Sequence, residues 1–205
     1  MLDKILTLLV IVLITIGYLI LLFTYLTNKK KTKQEENNAS NIVLNLLNNN
    51  SSINLIESKR STFSKYNIQR KMVKLTSNTY DNNSYFSQAI ASLLSGYALI
   101  NNKYLELIGK IFNELKFTTF SPLLIIIINI FTNNIADAKI AVIILIIIAI
   151  YQFMLNDINN NAILEIKSKN IKVNKILNVM EKINTLFFVT TLIEILRLVI
   201  IILRI

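Results

Sequence analysis

The sequence has no cysteine, no histidine, a single proline and three glycines in 205 residues. Without cysteine there is no disulfide, no thiolate nucleophile and no sulfur ligand for zinc. Without histidine the commonest metal ligand and the commonest general base near neutral pH are both missing. Zinc sites draw almost always on thiolate or imidazole, so zinc chemistry is the class these two absences weigh against most heavily. The scarcity of glycine and proline argues against an architecture rich in hairpins.

What is present is apolar. The chain is 53% hydrophobic with a mean hydropathy of +0.52, too apolar for an ordinary soluble domain. Its length allows one modest domain, or a small domain with membrane helices. Abundant Ile, Asn and Lys fit an A+T-rich coding bias, which exchanges Ile for Val, Lys for Arg and Asn for small polar residues, and so blurs motifs.

Ile5 to Asn28 contains no charged residue, and its core "ILTLLVIVLITIGYLILLFTYL" is long enough to cross a bilayer. A signal peptide would have a shorter apolar region ending in small residues. This one ends in "TNKKKTK", a stop-transfer pattern. A second apolar block, "FTTFSPLLIIIINIFT" at 117–132, is short for a span. Its helix is expected to begin near Ile111 or at Pro122, which would otherwise kink it. The link "NNIADAK" leads into "IAVIILIIIAIYQFMLN", Ile140 to Asn156, completing a helical hairpin. Asn184 to Leu203 holds a last block. Four spans are expected.

Of the 22 Lys and Arg residues, thirteen lie between the first two spans and five between the last two, against Lys4, Lys139 and Arg204 on the other side. By the positive-inside rule, Thr27–Lys116 and Asp157–Ile183 face the cytoplasm. The net charge of +10 is then mainly topology, with some attraction to anionic lipid heads. No motif interleaves basic and aromatic residues as nucleic-acid binding would need.

Within the region between the first two spans, "NNASNIVLNLLNN" reads as a short helix bearing Ile42, Leu44, Leu46 and Leu47, capped by Ser40. "SINLIESK" and "YNIQRKMVKLT" read as strands, the second alternating Met72, Lys74 and Thr76 against Val73 and Leu75. "SNTYDNNS" reads as a turn, and Tyr85 to about Leu115 as helix. The fold class expected is a mainly α membrane protein with four transmembrane helices and a small cytoplasmic α/β domain. Its boundaries are a first span at 1–28, a cytoplasmic domain at 29–116, a transmembrane hairpin at 117–156, a cytoplasmic loop or helix at 157–183 and a last span at 184–205.

Three segments carry a resemblance: "KYNIQRKMVKLTSNTYDNNS", "AIASLLSGYALINNKY" and "YQFMLNDINNNAI". Their order resembles that of the YugP-like membrane zinc metallopeptidases. The first looks like that family's stretch beginning H-Y-D-P, with Tyr66, Leu75, Tyr80 and Ser84 in frame. The second is similar to A-I-x-x-A-A-H-E-x-G-H-A, keeping Gly96 and Ala98 in frame and an Ala-Ile pair, Ala89 and Ile90, two residues later than the pattern's own, with a Tyr near position 104. The third is similar to F-Q-x-x-x-L-P-V-E-F-N-A-S, keeping Gln152, Asn161 and Ala162. The ending "EILRLVIIIL", Arg197 included, is similar to the family's last span, so the resemblance extends over nearly the whole chain.

It implies a zinc-binding helix on which this sequence has lost its chemistry. The two zinc-binding His positions fall on Leu93 and Tyr97, the catalytic Glu on Leu94, and the third ligand, a Glu, on Asn159. The His and Asp of the H-Y-D-P stretch fall on Lys65 and Asn67. Two His four apart on one helix face converge on an ion, and the Glu beside the first activates the bound water. Leucine neither coordinates nor accepts a proton, phenols ionise only near pH 10, and the Asn carbonyl is neutral. The resemblance therefore implies a vestigial site and a pseudopeptidase. No cofactor is expected, since the family's zinc would lack its ligands.

At Leu93, Leu94 and Tyr97 the plain expectation is helix core; the sharper one is a surviving groove that holds a peptide without cutting it. Glu194 and Arg197, three apart in the last span, are expected to form an intramembrane ion pair rather than a proton relay. Asp81, Glu106, Glu114, Asp157, Glu165 and Glu181 show no paired spacing for acid–base or hard-cation chemistry. The function expected is an interaction or adaptor subunit of the cell membrane, with its soluble domain in the cytoplasm. Its partners would be the bilayer and membrane proteins or a membrane protease complex, not nucleic acid. A metallopeptidase whose site is unconventional or completed by a partner's His is the alternative, and a small transport subunit built on Glu194 and Arg197 ranks third.

Overall fold

The computed structural model describes residues 2–30, 38–47, 52–59, 61, 63–112, 114–116, 121–132, 135–166 and 171–203. The chain is mostly helical with one small sheet, and it divides into two compact units. One comprises 1–21, 118–156 and 182–205; the other comprises 22–117 and 157–181.

The first unit is a helical bundle. It draws on α1 (Leu2–Asn28), α6 (Ser121–Phe131), α7 (Ile135–Ile166) and α8 (Ile171–Leu203). Its core is Val10, Ile14, Ile125, Ala138, Ala141, Leu145 and Leu198. Large apolar side chains nonetheless cover the outside, among them Leu8, Leu19, Ile143, Ile147, Ile150 and Leu196. In water such a surface would be costly; against lipid it is the ordinary state. Among the described residues, α1, α7 and α8 are the three helices long and apolar enough to cross a membrane. The block expected as a span at 117–132 yields α6, whose 11 residues rise about 17 Å against a hydrocarbon core of about 30 Å. Residues 117–120 of that block lie outside those described. Pro122 sits in the first turn of α6, where its missing N–H breaks no helical bond, so it opens the helix rather than kinking it.

Close contacts tie the bundle together. A Cβ added at Gly17 would lie 2.5 Å from the Phe187 ring, so glycine there lets α1 approach α8 without displacing that ring. The ring of Tyr18 packs on Phe187 at 5.2 Å between centroids. Between α7 and α8, the buried Thr191 hydroxyl donates to Gln152 Oε1 at 2.6 Å.

The second unit is an α/β assembly. Its strands are β1 (Asn54–Ser58), β2 (Lys65–Asn67), β3 (Met72–Thr76) and β4 (Glu114–Leu115), in the spatial order β1-β3-β2-β4. β1 and β3 are parallel, and β2 runs antiparallel to both β3 and β4. The alternation expected over 72–76 holds: Val73 and Leu75 are buried, and Met72, Lys74 and Thr76 are not. Tyr66 pairs with both Val73 and Leu115, which puts one apolar row on the inner face.

Several sequence expectations need correction. "YNIQRKMVKLT" is two strands, not one. The Asn67 side chain accepts from the Arg70 N–H, and Lys71 takes φ 46°, so the chain reverses between them. The first half of "SNTYDNNS" is a one-turn helix, α3 (Ser77–Tyr80). α2 (Ala39–Leu47) starts one residue before Ser40, which is buried inside it; the Asn38 carbonyl accepts from the Ile42 N–H at the helix entrance. Its buried apolar residues are Ala39, Val43 and Leu47, while Leu44 faces out.

The helix expected from Tyr85 to Leu115 is two. α4 (Tyr85–Leu99) ends at Ile100, which is extended, and α5 (Lys103–Ile111) begins after Asn102. Asn102 accepts from the N–H groups of Tyr104 and Leu105, and such a cap starts a new helix. Phe112 is extended and β4 follows, so no membrane helix begins near Ile111. The segment 157–183, left open between loop and helix, is helical in its described parts, as the end of α7 and the start of α8.

Candidate functional site

The four positions implied by the resemblance sit on α4 and on the last part of α7, and the structure brings two of them into contact. α4 opens at Ser84, whose side chain accepts from the Ser87 N–H. From Phe86 to Tyr97 every residue of α4 is buried, because α2, β2 and β3 pack against it. Ala89, Ala91, Ser92, Ser95 and Gly96 keep the helix thin where neighbours approach. Ser95 returns its hydroxyl to the Ala91 carbonyl, leaving no orphan donor.

Gly96 marks the closest approach. A Cβ there would stand 2.8 Å from the Ala162 carbonyl oxygen and 3.0 Å from the Ala162 Cβ. One residue on, the Tyr97 hydroxyl donates to Asn159 Oδ1 at 2.5 Å, across 62 residues of sequence. Leu93, Leu94, Tyr97 and Asn159 are all 0–1% exposed. Three residues beyond Leu99 the contact is reinforced, since Asn102 Nδ2 donates to Asp157 Oδ2 at 2.8 Å and Asn161 Nδ2 donates to the same oxygen at 3.1 Å. Asp157 thus anchors the α4–α5 corner. No sequence signal marks that use, because its partners are amides in an Asn-rich chain and one of them, Asn102, comes from 55 residues away.

The donor set does not fit zinc. Leu93 and Leu94 offer no lone pair, and the Tyr97 hydroxyl and Asn159 Oδ1 are spent on each other. The polar atom left over is Asn159 Nδ2, buried with no hydrogen-bond partner. An amide N–H donates and cannot ligate a cation. Among the described residues no group of three or more Asp, Glu, His or Cys side chains could hold a metal ion.

The remaining expected residues lie elsewhere. Lys65 and Asn67 are on β2, and Lys65 pairs at 2.5 Å with Glu114, which Lys74 also approaches at 3.6 Å. Partial burial would raise the Glu114 pKa, but the hydrogen bond and charge of Lys65, with Lys74 and Lys116, outweigh it and hold the carboxyl below its usual range. Burial pushes the Tyr66 phenol up. Arg197 grips Glu194 through two bonds, Nε to Oε2 at 3.0 Å and Nη2 to Oε1 at 2.6 Å, with both side chains inside the bundle. A bidentate pair of this kind satisfies both charges locally.

Comparison with family models, with curated proteins and with solved structures finds no match to this chain.

Proposed function

We propose that this chain is a multi-pass membrane protein on the frame of the YugP-like metallopeptidases, without peptidase activity, serving as an interaction or adaptor subunit for other membrane proteins. One observation carries the reading. Positions 97 and 159, which the resemblance assigns to ligands of a single ion, meet in a buried hydrogen bond although 62 residues separate them. Gly96 and Ala162, both kept from the family pattern, touch beside that bond. Loss of an ion leaves buried polar space. Leucine at 93 and 94 fills it, and a Tyr–Asn bond closes what remains.

In this reading α6 is a fourth, shorter membrane-embedded segment beside α1, α7 and α8. The excess of Lys and Arg in 29–116 and 157–183 orients both segments to the cytoplasm, at the cell membrane. The bidentate closure of Arg197 on Glu194 favours a structural pair over a transport relay.

Affinity purification of the tagged full chain from its native membranes in mild detergent, with mass spectrometry and metal analysis on one sample, tests the reading. A stoichiometric membrane partner and no zinc are expected. A lone chain carrying zinc that hydrolyses an unfolded substrate contradicts it.

A further inference from the structure

The sheet of the second unit has an outer face that its core does not explain. An open cavity of about 630 Å³ lies on it, walled by Arg70, Lys74 and Lys116 with Glu114, Asn67 and Gln69. Three cations thus face one carboxylate, and that carboxylate is already held by Lys65 from β2. The surplus is positive, in a concavity that concentrates its field.

Ile111 and Phe112 complete the wall, and their side chains are 65% and 51% exposed. Leu107, one turn earlier on the same face of α5, is 44% exposed. The opposite face of α5 is ordinary core, through Leu105, Ile108 and Gly109. Gly109 packs so tightly that an added Cβ would lie 2.8 Å from Ile68. α5 therefore shows a second apolar face to solvent, with the exposed Lys103 and Lys110 together along one side of it. An apolar strip bordered by lysines is the pattern of a helix lying in a membrane interface. Lys116 also precedes the apolar α6 by only a few residues of chain; on the reading proposed above, in which α6 is membrane-embedded and on which this inference rests, that position is juxtamembrane.

We infer that this face binds the phosphate of an anionic lipid headgroup: Arg70, Lys74 and Lys116 hold the phosphate, and Leu107, Ile111 and Phe112 enter the acyl boundary. A free phosphate would use the cations and leave the apolar strip in water. A lipid uses both. Guanidinium at Arg70 matches phosphate in a fork, while the two lysines act as point charges.

The chain has no tryptophan, so Phe112→Trp places a single reporter on the strip. The full chain is reconstituted in phosphatidylcholine nanodiscs with and without phosphatidylglycerol, including brominated acyl chains as quencher. The expected result is a blue-shifted, more strongly quenched emission with phosphatidylglycerol, and loss of that difference in R70Q/K116Q, which spares the Lys65–Glu114 pair. High salt weakens the effect. Leu107→Trp provides a second reporter should the first perturb the fold. Identical emission in both lipids, a difference that survives R70Q/K116Q, or the same change produced in neutral discs by glycerol 3-phosphate would each overturn the inference, the last by assigning the site to a soluble anion.

Discussion

Tyr97 and Asn159 form a pair whose two halves are worth less apart than together. Tyr97→Phe removes the donor and leaves both ends of the buried Asn159 amide unsatisfied. The expected cost is about 1–3 kcal/mol, read as a lower midpoint of chemical unfolding in detergent. Tyr97→Phe combined with Asn159→Leu recovers most of it, since no polar atom is then stranded. A double variant as unstable as the sum of its singles would deny the coupling. Gly96→Ala acts by contact instead. Its methyl meets the Ala162 backbone oxygen, which cannot turn aside, so a loss of about 1–3 kcal/mol is expected. Gly17→Ala meets an aromatic ring, which can rotate, and should cost less in the same assay. None of these contacts is visible in sequence as a distance. The residue types at 93, 94, 97 and 159 show in sequence that no imidazole, thiolate or carboxylate stands there, yet that Tyr97 reaches Asn159 follows from tertiary packing.

The elements were legible where burial imposes a period and hidden where side chains cap or turn the backbone. The alternation of 72–76 and the long apolar runs of α1, α7 and α8 follow directly from which face is buried. The break at 100–102 depends on an Asn side chain reaching backbone N–H groups, and in this Asn-rich chain one such residue among many carries no signal. The hairpin between β2 and β3 depends on Asn67 and on a positive φ at Lys71, a residue type that rarely marks one. β4 is held to β2 partly by Glu114 and Lys65. Because the folded pKa of Glu114 lies below its unfolded value of 4.5, the pair's contribution is present above about pH 4.5 and fades as pH falls through the lower folded value. For a partly exposed pair that contribution is about 0–1 kcal/mol. Glu114→Gln should flatten this part of the stability profile between pH 6 and pH 3 (roughly the carboxylate range). An unchanged profile would place the acid sensitivity elsewhere.

At the scale of the whole molecule, one chain carries a helical bundle with an apolar exterior and an α/β unit whose buried α4 bears Leu93, Leu94 and Tyr97 where the proposed kinship expects ligands and a catalytic Glu. The Glu194–Arg197 pair belongs to that bundle. Arg197→Leu alone removes both guanidinium bonds from the buried Glu194 carboxylate and should cost about 3–5 kcal/mol, whereas Glu194→Leu with Arg197→Leu should cost much less. If the pair is structural, the double variant still captures the same partners from membranes; loss of capture with a folded chain would give the pair a working role. The proposed kinship rests on α4 and α7 having been arranged around an ion. The direct test is to restore the donors in the full chain with Leu93→His, Leu94→Glu, Tyr97→His and Asn159→Glu, and to measure zinc by elemental analysis beside thermal unfolding. The account predicts one zinc per chain and a melting temperature that rises with zinc and falls with chelator. A folded, monodisperse variant that takes up no zinc would contradict it.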